Sequence, residues 1–317
     1  MQIRKLLWLI SVLVLIFALV FLGQLGGAKQ SRILPDPDPE GIKTPELLGL
    51  IDSYADNRSF TRPSSVAVAS DGHIYVIDSQ ANKVIIYDRY GRYLDSFGKL
   101  GNKPGQLAYP LGIAVGRDGR VYITEVVNHR IQVFSADGKF LNAFPRESGS
   151  LKAPTAITVD RDGRVYVFDK QDHRVKVCDA SGQILLTFGG EGTEPGKLKY
   201  AMGLAVSGKG DIYVSDSGNS RIQVFDSQGR FLREIQGKTQ ALSNPRGIAL
   251  DEQGNLYVAD SLISDVVTID KQGSDFSFKN FQGLDGFYFP DGLAYWNHRL
   301  FVVDKGNKRV VVFQMPK

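Results

Sequence analysis

Histidine, cysteine and carboxylate side chains are the residues of this chain that could hold a metal or act in acid–base chemistry. A catalytic zinc site needs three ligands that converge and leave a fourth position open. The four histidines, His73, His129, His173 and His298, are scattered through the sequence. No nucleophile elbow, Walker loop, haem-attachment motif or paired-cysteine motif occurs in it. We therefore expect no metal, no cofactor and no catalytic residues.

Carboxylates, by contrast, recur at a nearly fixed spacing. Each ends a four-residue motif close to Tyr-Val-Xaa-Asp, and successive motifs lie 47, 44, 47, 44 and 44 residues apart. The six acids are Asp78, Glu125, Asp169, Asp216, Asp260 and Asp304. A period of this length is typical of repeat proteins, in which each unit is too small to bury its own apolar face and packs on its neighbours.

The second copy shows what one repeat forms. Apolar residues alternate with polar ones over four short runs, at 110–116, 121–125, 130–134 and 140–144. Asp118-Gly119 and Asp137-Gly138 separate two pairs of these runs, and Asp-Gly is a strong hairpin signal. Each repeat is thus predicted to be a four-stranded antiparallel meander. Six meanders arranged radially make an all-β, six-bladed β-propeller.

The last repeat stops at Lys317 after only three strands. Strand four of the earlier repeats carries two apolar residues three positions apart, such as Leu94 and Phe97, and Leu48 and Ile51 repeat this pair near the start of the propeller. We predict that residues 46 to 53 complete blade six beside residues 308 to 314.

The repeats resemble the NHL-repeat family of six-bladed propellers over residues 46 to 317. The resemblance rests on Asn128–Phe134 and Asp172–Val177, and on Asn219–Phe225, in which Ser220 replaces the histidine. The family includes a peptide-amidating lyase with metal-binding histidines near the channel, but no matching triad is visible here. The resemblance therefore implies the scaffold of that enzyme and not its chemistry.

Six-bladed propellers also include metal-assisted lactonases, whose ligands project into the central channel. The corresponding residues at the entries to strand one are Ser64, Leu111, Thr155, Met202, Arg246 and Asp291. We expect Arg246 and Asp291, which belong to adjacent blades, to face each other. One acid and one base among apolar and hydroxyl groups suit a divalent cation poorly, because such an ion binds several oxygen ligands.

A base follows most of the repeated acids by five residues, which predicts ion pairs that order a hairpin end and contribute little where they are exposed. These bases are Lys83, Arg130, Arg174, Arg221 and Arg309. Blade five differs, because Asp260 is followed by Asp265. These two acids could hold a cation or receive a basic partner, or they could reflect drift in one copy.

The long loops before strand one contain Tyr109, Tyr200 and Tyr288, together with several lysines, and Arg246 follows closely. Aromatic side chains beside flexible cations suit recognition of a protein segment or an acidic ligand. The alternative is that these aromatics seal neighbouring blades.

The N-terminal region is predicted to enter a membrane. Residues 1–5 form a cytoplasmic tail, residues 6–23 a transmembrane signal anchor, residues 24–45 a proline-rich linker, and residues 46–317 the propeller. Fourteen of the seventeen residues from 6 to 22 are Leu, Ile, Phe or Val, with no charge until Lys29. Small residues at 26–28 offer an alternative reading as a cleaved signal peptide. Either way, the propeller is expected outside the cytoplasm.

Charge and cysteine content exclude two further classes of function. Beyond residue 28 the chain has 36 basic and 34 acidic side chains, a balance too even for the broad basic field of a nucleic-acid binder. Some family members bind RNA, but we expect no nucleic acid here. The single Cys178 aligns with apolar strand positions, so it is predicted to be a buried, inert thiol.

The sequence therefore predicts a membrane-anchored, extracytoplasmic propeller that acts as a noncatalytic scaffold for an envelope or membrane protein or another ligand. One alternative is a channel-centred, metal-dependent hydrolase or lyase. Another is a structural module that only assembles with other envelope proteins.

Overall fold

The computed structural model describes residues 34, 44–55, 57–145, 149–238, 240–278 and 283–316. The predicted transmembrane segment at 6–23 and most of the linker lie outside these residues. Within the described ranges, no helix is both long and apolar enough to cross a bilayer.

The described chain forms six blades, each a four-stranded antiparallel sheet, and the predicted β-propeller is confirmed. Strands are numbered one to four in each blade from the centre outwards. Blades one to three comprise Pro63–Val68, Ile74–Asp78, Lys83–Tyr87 and Tyr93–Phe97; Pro110–Val115, Val121–Glu125, Arg130–Phe134 and Phe140–Phe144; and Pro154–Val159, Val165–Asp169, Arg174–Cys178 and Ile184–Gly189. Blades four to six comprise Gly203–Val206, Ile212–Asp216, Arg221–Phe225 and Phe231–Ile235; Pro245–Leu250, Leu256–Asp260, Asp265–Ile269 and Asp275–Ser277; and Pro290–Trp296, Arg299–Asp304, Arg309–Gln314 and Glu46–Ile51. A small hairpin, Ser53–Tyr54 with Arg58–Ser59, and a 3-10 turn, Ser217–Asn219, complete the elements.

Blade six closes as predicted, with an outer strand from the start of the propeller. Glu46–Ile51 pairs antiparallel with Arg309–Gln314, in a register that sets Glu46 opposite Gln314 and Ile51 opposite Val310. Ile51 is buried among residues of blades six and one. The sheet of blade six therefore joins both ends of the propeller, and ring closure depends on strand pairing and packing.

The six inner strands contact one another around a complete ring. Small residues near the start of these strands make the approach possible. A Cβ atom on Gly247 would overlap the main-chain oxygen of Asp291 in the next blade, and one on Gly203 would overlap that of Arg246. The ring leaves only a narrow central channel.

The apolar side chains of adjacent blades form the core between them. Cys178 is one of these side chains, packed with Phe144, Ile131 and Val165, and it is buried as predicted. Burial raises the pKa of the Cys178 thiol to about 11, with a smaller contribution from nearby Asp179. The reactive thiolate is therefore suppressed at neutral pH.

The repeated acids form most of the predicted ion pairs, but in a buried setting. Glu125, Asp216 and Asp304 lie 2.5, 2.8 and 2.7 Å from the arginine five residues later, and each carboxylate is fully buried. The predicted pairing is therefore confirmed for these three acids, and the low contribution expected of exposed pairs does not apply to them. In blade three the rule fails, because Lys176 lies 2.7 Å from Asp169 while Arg174 is exposed.

Most of these carboxylates also hold the loop that leads into their own blade. Asp78 accepts hydrogen bonds from the main-chain N–H groups of Thr61 and Arg62 at 2.6 and 2.8 Å. Asp260 does the same for Ser243 and Asn244, at 2.6 and 2.9 Å. Main-chain donors favour the ionised form, so a short acid at this position suits both the loop and the strand.

The propeller has two faces. We call loop face the side that carries the described connections between blades (52–55, 57–62, 98–109, 145, 149–153, 190–202, 236–238, 240–244, 278 and 283–289) and the turns between strands two and three (79–82, 126–129, 170–173, 217–220, 261–264 and 305–308). We call hairpin face the opposite side, with the turns between strands one and two and between strands three and four.

Candidate functional site on the loop face

A single turn position organises the loop face. It is the position of the repeat histidine, and its residues all have left-handed φ values between 53° and 56°: Asn82, His129, His173, Ser220, Ser264 and Lys308. Several of these side chains bind the main chain of the next connection. Asn82 Oδ1 accepts from the Tyr109 N–H at 2.8 Å, and His173 Nδ1 accepts from the Tyr200 N–H at 3.2 Å. The repeat histidine therefore positions a loop.

The loops held in this way present aromatic side chains to solvent. Tyr109, Tyr200 and Tyr288 are 36, 45 and 54% exposed, and Phe289 is 45% exposed. They lie at the connections between blades one and two, three and four, and five and six, which is every second interface of the ring. Part of each of these side chains is thus open to a partner, whereas the neighbouring Phe287 is buried.

Other contacts order these side chains without burying them. The Tyr200 ring packs edge-on against His173, with ring centres 4.8 Å apart, and Lys170 Nζ lies 5.5 Å from the Tyr200 ring centre. The rings of Tyr288 and Phe289 are 4.6 Å apart. Pre-ordered aromatic rings lose little conformational entropy when they bind a partner.

Exposed aliphatic residues also lie on this face, of which Leu100 and Val127 were not predicted from the sequence. Leu100 and Val127 are 71 and 60% exposed, and Leu262, in the blade-five turn, is 66% exposed. The available signal was an apolar residue inside a turn, where polar residues normally occur. Its value depends on knowing which turns share a face, which requires the fold.

Basic residues dominate the same face. The described connections and turns of the loop face carry eleven basic and five acidic side chains, whereas the turns of the hairpin face carry ten and twelve. Fields of this kind attract ligands of opposite charge. The near-neutral composition of the chain therefore conceals a difference between its two faces.

The channel opens at the centre of this face. The six predicted residues at the start of strand one all line one cavity of about 70 Å³. Arg246 Nε lies 2.6 Å from Asp291 Oδ1, as the adjacent-blade prediction required, and Lys305 Nζ lies 2.5 Å from Asp291 Oδ2. Lys305 was not predicted from the sequence, where its only signal is its position next to the repeated acid of blade six.

Arg246 and Lys305 favour the ionised form of the Asp291 carboxyl in the channel. Burial acts to raise the pKa of Asp291, but the charges and hydrogen bonds of Arg246 and Lys305 outweigh it and hold this pKa below its usual value. Two cations on one carboxylate leave a positive charge at the channel mouth. Both carboxylate oxygens already bind protein donors.

The two acids of blade five are brought together, but below the surface. Asp260 and Asp265 face each other on strands two and three and are both fully buried. Asp265 accepts hydrogen bonds from Ser277 Oγ at 2.5 Å and from the Phe278 N–H at 3.0 Å. This pair is therefore separate from the exposed aromatic surface. In the described part of the chain, no three His, Cys, Asp or Glu side chains are grouped so that they could hold a metal ion.

Four segments match the NHL repeat, at residues 60–87, 107–134, 198–225 and 287–313. The chain carries NHL repeats. The matched segments fall in blades one, two, four and six, and the NHL-repeat propeller includes two further blades of the same four-stranded form. Among curated proteins, the Drosophila melanogaster protein brain tumor is 41% identical over 51 residues. That match covers 16% of this chain and only 5% of the relative.

Solved structures with the same fold include enzymes. A virginiamycin B lyase from Staphylococcus aureus superposes with a TM-score of 0.60 and 16% identity, over 82% of this chain and 83% of that one. A gluconolactonase from Xanthomonas campestris gives 0.64 and 18%, over 91 and 93% of the two chains. At these identities the similarity shows the fold alone.

Proposed function

We propose that this NHL-repeat propeller is a noncatalytic binding scaffold, and that its loop face holds an acidic segment of an envelope or membrane protein. The observation that supports this function best is the set of exposed aromatic residues, Tyr109, Tyr200 and Tyr288 with Phe289, on a face with excess basic side chains. Aromatic anchors provide much of the energy of protein interfaces, and charge complementarity speeds and orients association.

The proposal includes a membrane anchor at residues 6–23 and a propeller outside the cytoplasm. The apolar composition of this segment supports the anchor. Leu34 is the described residue nearest to it, and its N–H donates to the main-chain oxygen of Tyr90, in a turn of the hairpin face, at 2.8 Å. An anchor that precedes Leu34 by so few residues would reach the propeller from the hairpin face. The loop face would then point away from the bilayer.

The test is affinity capture from native membranes with three versions of the full-length protein in detergent. The first is wild type and the second carries Tyr109→Ala, Tyr200→Ala and Tyr288→Ala. The third is a matched control with Tyr93→Ala, Phe140→Ala and Phe276→Ala, whose side chains are 37, 36 and 48% exposed on the outer strands. We expect wild type and control to retain one partner that the loop-face variant loses. Retention by a folded loop-face variant would contradict the proposed surface.

The alternative is a channel-centred, metal-dependent hydrolase or lyase. The fold shared with a lyase and a gluconolactonase makes it worth testing, although Asp291 already binds two cationic side chains. Metal content measured on the same purified protein distinguishes the two functions. Stoichiometric metal that Asp291→Asn removes would support the enzyme and contradict the scaffold.

A further inference from the structure

The outer strands carry an aromatic residue that fills the space between neighbouring blades. Phe97, Phe144 and Phe188 occupy equivalent positions, opposite Val84, Ile131 and Val175. Each ring lies against a glycine in the hairpin-face turn of the next blade. A Cβ atom on Gly138, Gly182 or Gly229 would overlap the phenylalanine. Three of the six gaps between blades are therefore filled in the same way.

Two blades have isoleucine at this position. Ile51 lies opposite Val310 in blade six, and Ile235 lies opposite Ile222 in blade four. Isoleucine is smaller than phenylalanine, so both gaps leave space that a ring would have filled. The two gaps are the natural places for another chain segment to insert.

At the gap between blades six and one, this chain fills the space itself. Leu34 is fully buried there, packed with Ile51 and with Gly91 of the blade-one turn. Its N–H donates to the Tyr90 main-chain oxygen at 2.8 Å. A buried leucine whose N–H binds the adjacent turn therefore takes the place of the missing ring.

The gap between blades four and five opens into a groove of about 860 Å³, whose lining also includes Val159 of blade three and Tyr295 of blade six. Ile235, Leu250, Ile269, Tyr213 and Tyr295 form its apolar part. The atoms nearest to a Cβ on the blade-five glycine, Gly273, belong to the flexible side chain of Lys238, and the nearest is 3.2 Å away. A volume in this range is ordinary for a site that encloses a small ligand or a few side chains.

We propose that this groove binds an extended peptide segment of a partner protein through one leucine-sized side chain. A main-chain N–H of that segment would donate to the main-chain oxygen of Gln272. Gln272 precedes Gly273 in the turn as Tyr90 precedes Gly91, so the groove offers the acceptor that Leu34 uses in the other gap. Basic and acidic residues both border the groove, including Arg161, Lys271 and Glu252, so the aliphatic side chain provides the selectivity. This site is on the hairpin face and does not depend on the proposed loop-face function.

The probe is a synthetic peptide with the sequence of residues 30–37, Gln-Ser-Arg-Ile-Leu-Pro-Asp-Pro, labelled for fluorescence anisotropy. It is titrated into the full-length protein in detergent. Ile235→Phe should fill the space beside Gly273 as Phe97, Phe144 and Phe188 fill the other gaps, while Leu232→Phe, at a position that is 47% exposed on the same strand, is the matched control. The control peptide has aspartate in place of the leucine.

We expect saturable binding to wild type and to Leu232→Phe. Because burial of a leucine side chain corresponds to roughly ten- to hundredfold in a binding constant, Ile235→Phe and the aspartate peptide should each weaken binding at least about tenfold. Ile235→Phe should leave the cooperative unfolding transition intact, which shows that the variant is folded.

Two results would overturn the proposal. No binding to wild type, or undiminished binding to folded Ile235→Phe, would show that the peptide does not use this groove. Concentration-dependent dimers in sedimentation that Ile235→Phe abolishes would assign the groove to a second copy of this chain instead of a partner.

Discussion

At the residue scale, the charged side chains of this propeller mostly organise its own main chain. Asp78 and Asp260 hold incoming loops through N–H groups, and Glu125 and Asp304 pair with arginines in buried surroundings. Removing one partner of a buried pair costs about 3–5 kcal/mol, because it leaves the other charge unpaired. These residues are therefore expected to affect stability before they affect binding.

Asp291 gives a pH prediction. Its pKa is lowered in the folded protein, so the unfolded chain takes up a proton at higher pH than the folded one. The stabilisation by Asp291 should be complete above the ordinary value of 3.8 and should disappear as the pH falls through the lowered folded value. Asp291→Asn should therefore be less stable than wild type at pH 7, and the difference in the free energy of unfolding should narrow below about pH 4.

Urea unfolding of wild type and Asp291→Asn between pH 7 and pH 3 measures this difference in the free energy of unfolding. Asp118→Asn, in an exposed turn of the hairpin face, is the control and should change little. A difference in free energy that stays constant across the pH range would show that the ionised Asp291 does not stabilise the fold through Arg246 and Lys305.

At the element scale, the outer strand Glu46–Ile51 decides whether the propeller is closed. It covers the edge of Arg309–Gln314, and an uncovered strand edge can pair with other chains. The same strand holds Ile51, which packs with Leu34 between blades six and one. Pairing and packing therefore fail together if this strand is lost.

Deletion of residues 46 to 53 should abolish the cooperative thermal transition or cause aggregation. Ile51→Asp tests the packing alone, and it should also destabilise strongly, because it places a charge among buried apolar side chains. Leu94→Asp, at a position that is 49% exposed on the outer strand of blade one, is the matched control. Calorimetry measures the transition, and an unchanged melt of the deletion variant would contradict closure by this strand.

The strands and hairpins of the blades were predictable from the sequence, because Asp-Gly turns and alternating apolar residues are local signals. Closure by residues 46 to 51 was also predictable, since Leu48 and Ile51 repeat a pattern from other blades. Two lysine contacts were not predictable, because they depend on side-chain direction. Lys176 pairs with Asp169, and Lys305 lies at the channel mouth. The groove at Ile235 needed the strand register, which shows that Ile51 and Ile235 are equivalent.

At the scale of the whole molecule, the two faces differ in charge, and this difference required the fold to assign each loop to a face. Basic residues exceed acidic ones on the loop face, whereas the hairpin face is nearly balanced. Leu34 binds a turn of the hairpin face, so the proposed anchor at residues 6–23 would orient the propeller. A partner in the envelope would then meet the aromatic residues first.

Energy transfer to a membrane-surface dye tests this orientation in reconstituted vesicles. Arg92→Cys labels the hairpin face and Leu100→Cys labels the loop face, and both positions are exposed. The raised pKa and burial of Cys178 should keep the native thiol unlabelled. Transfer should be stronger from position 92 than from position 100, and the reverse order would contradict a loop face directed away from the bilayer.

Binding at the loop face is the central claim, and site-specific photocrosslinking in native membranes tests it most directly. A benzophenone amino acid would replace Tyr109, Tyr200 or Tyr288 in turn, with Tyr93, Phe140 and Phe276 as matched positions on the outer strands. We predict that the three loop-face positions crosslink the same protein, that added salt weakens the crosslink, and that the outer positions do not form it. Crosslinks from the outer positions alone, or none from any loop-face position, would contradict the claim.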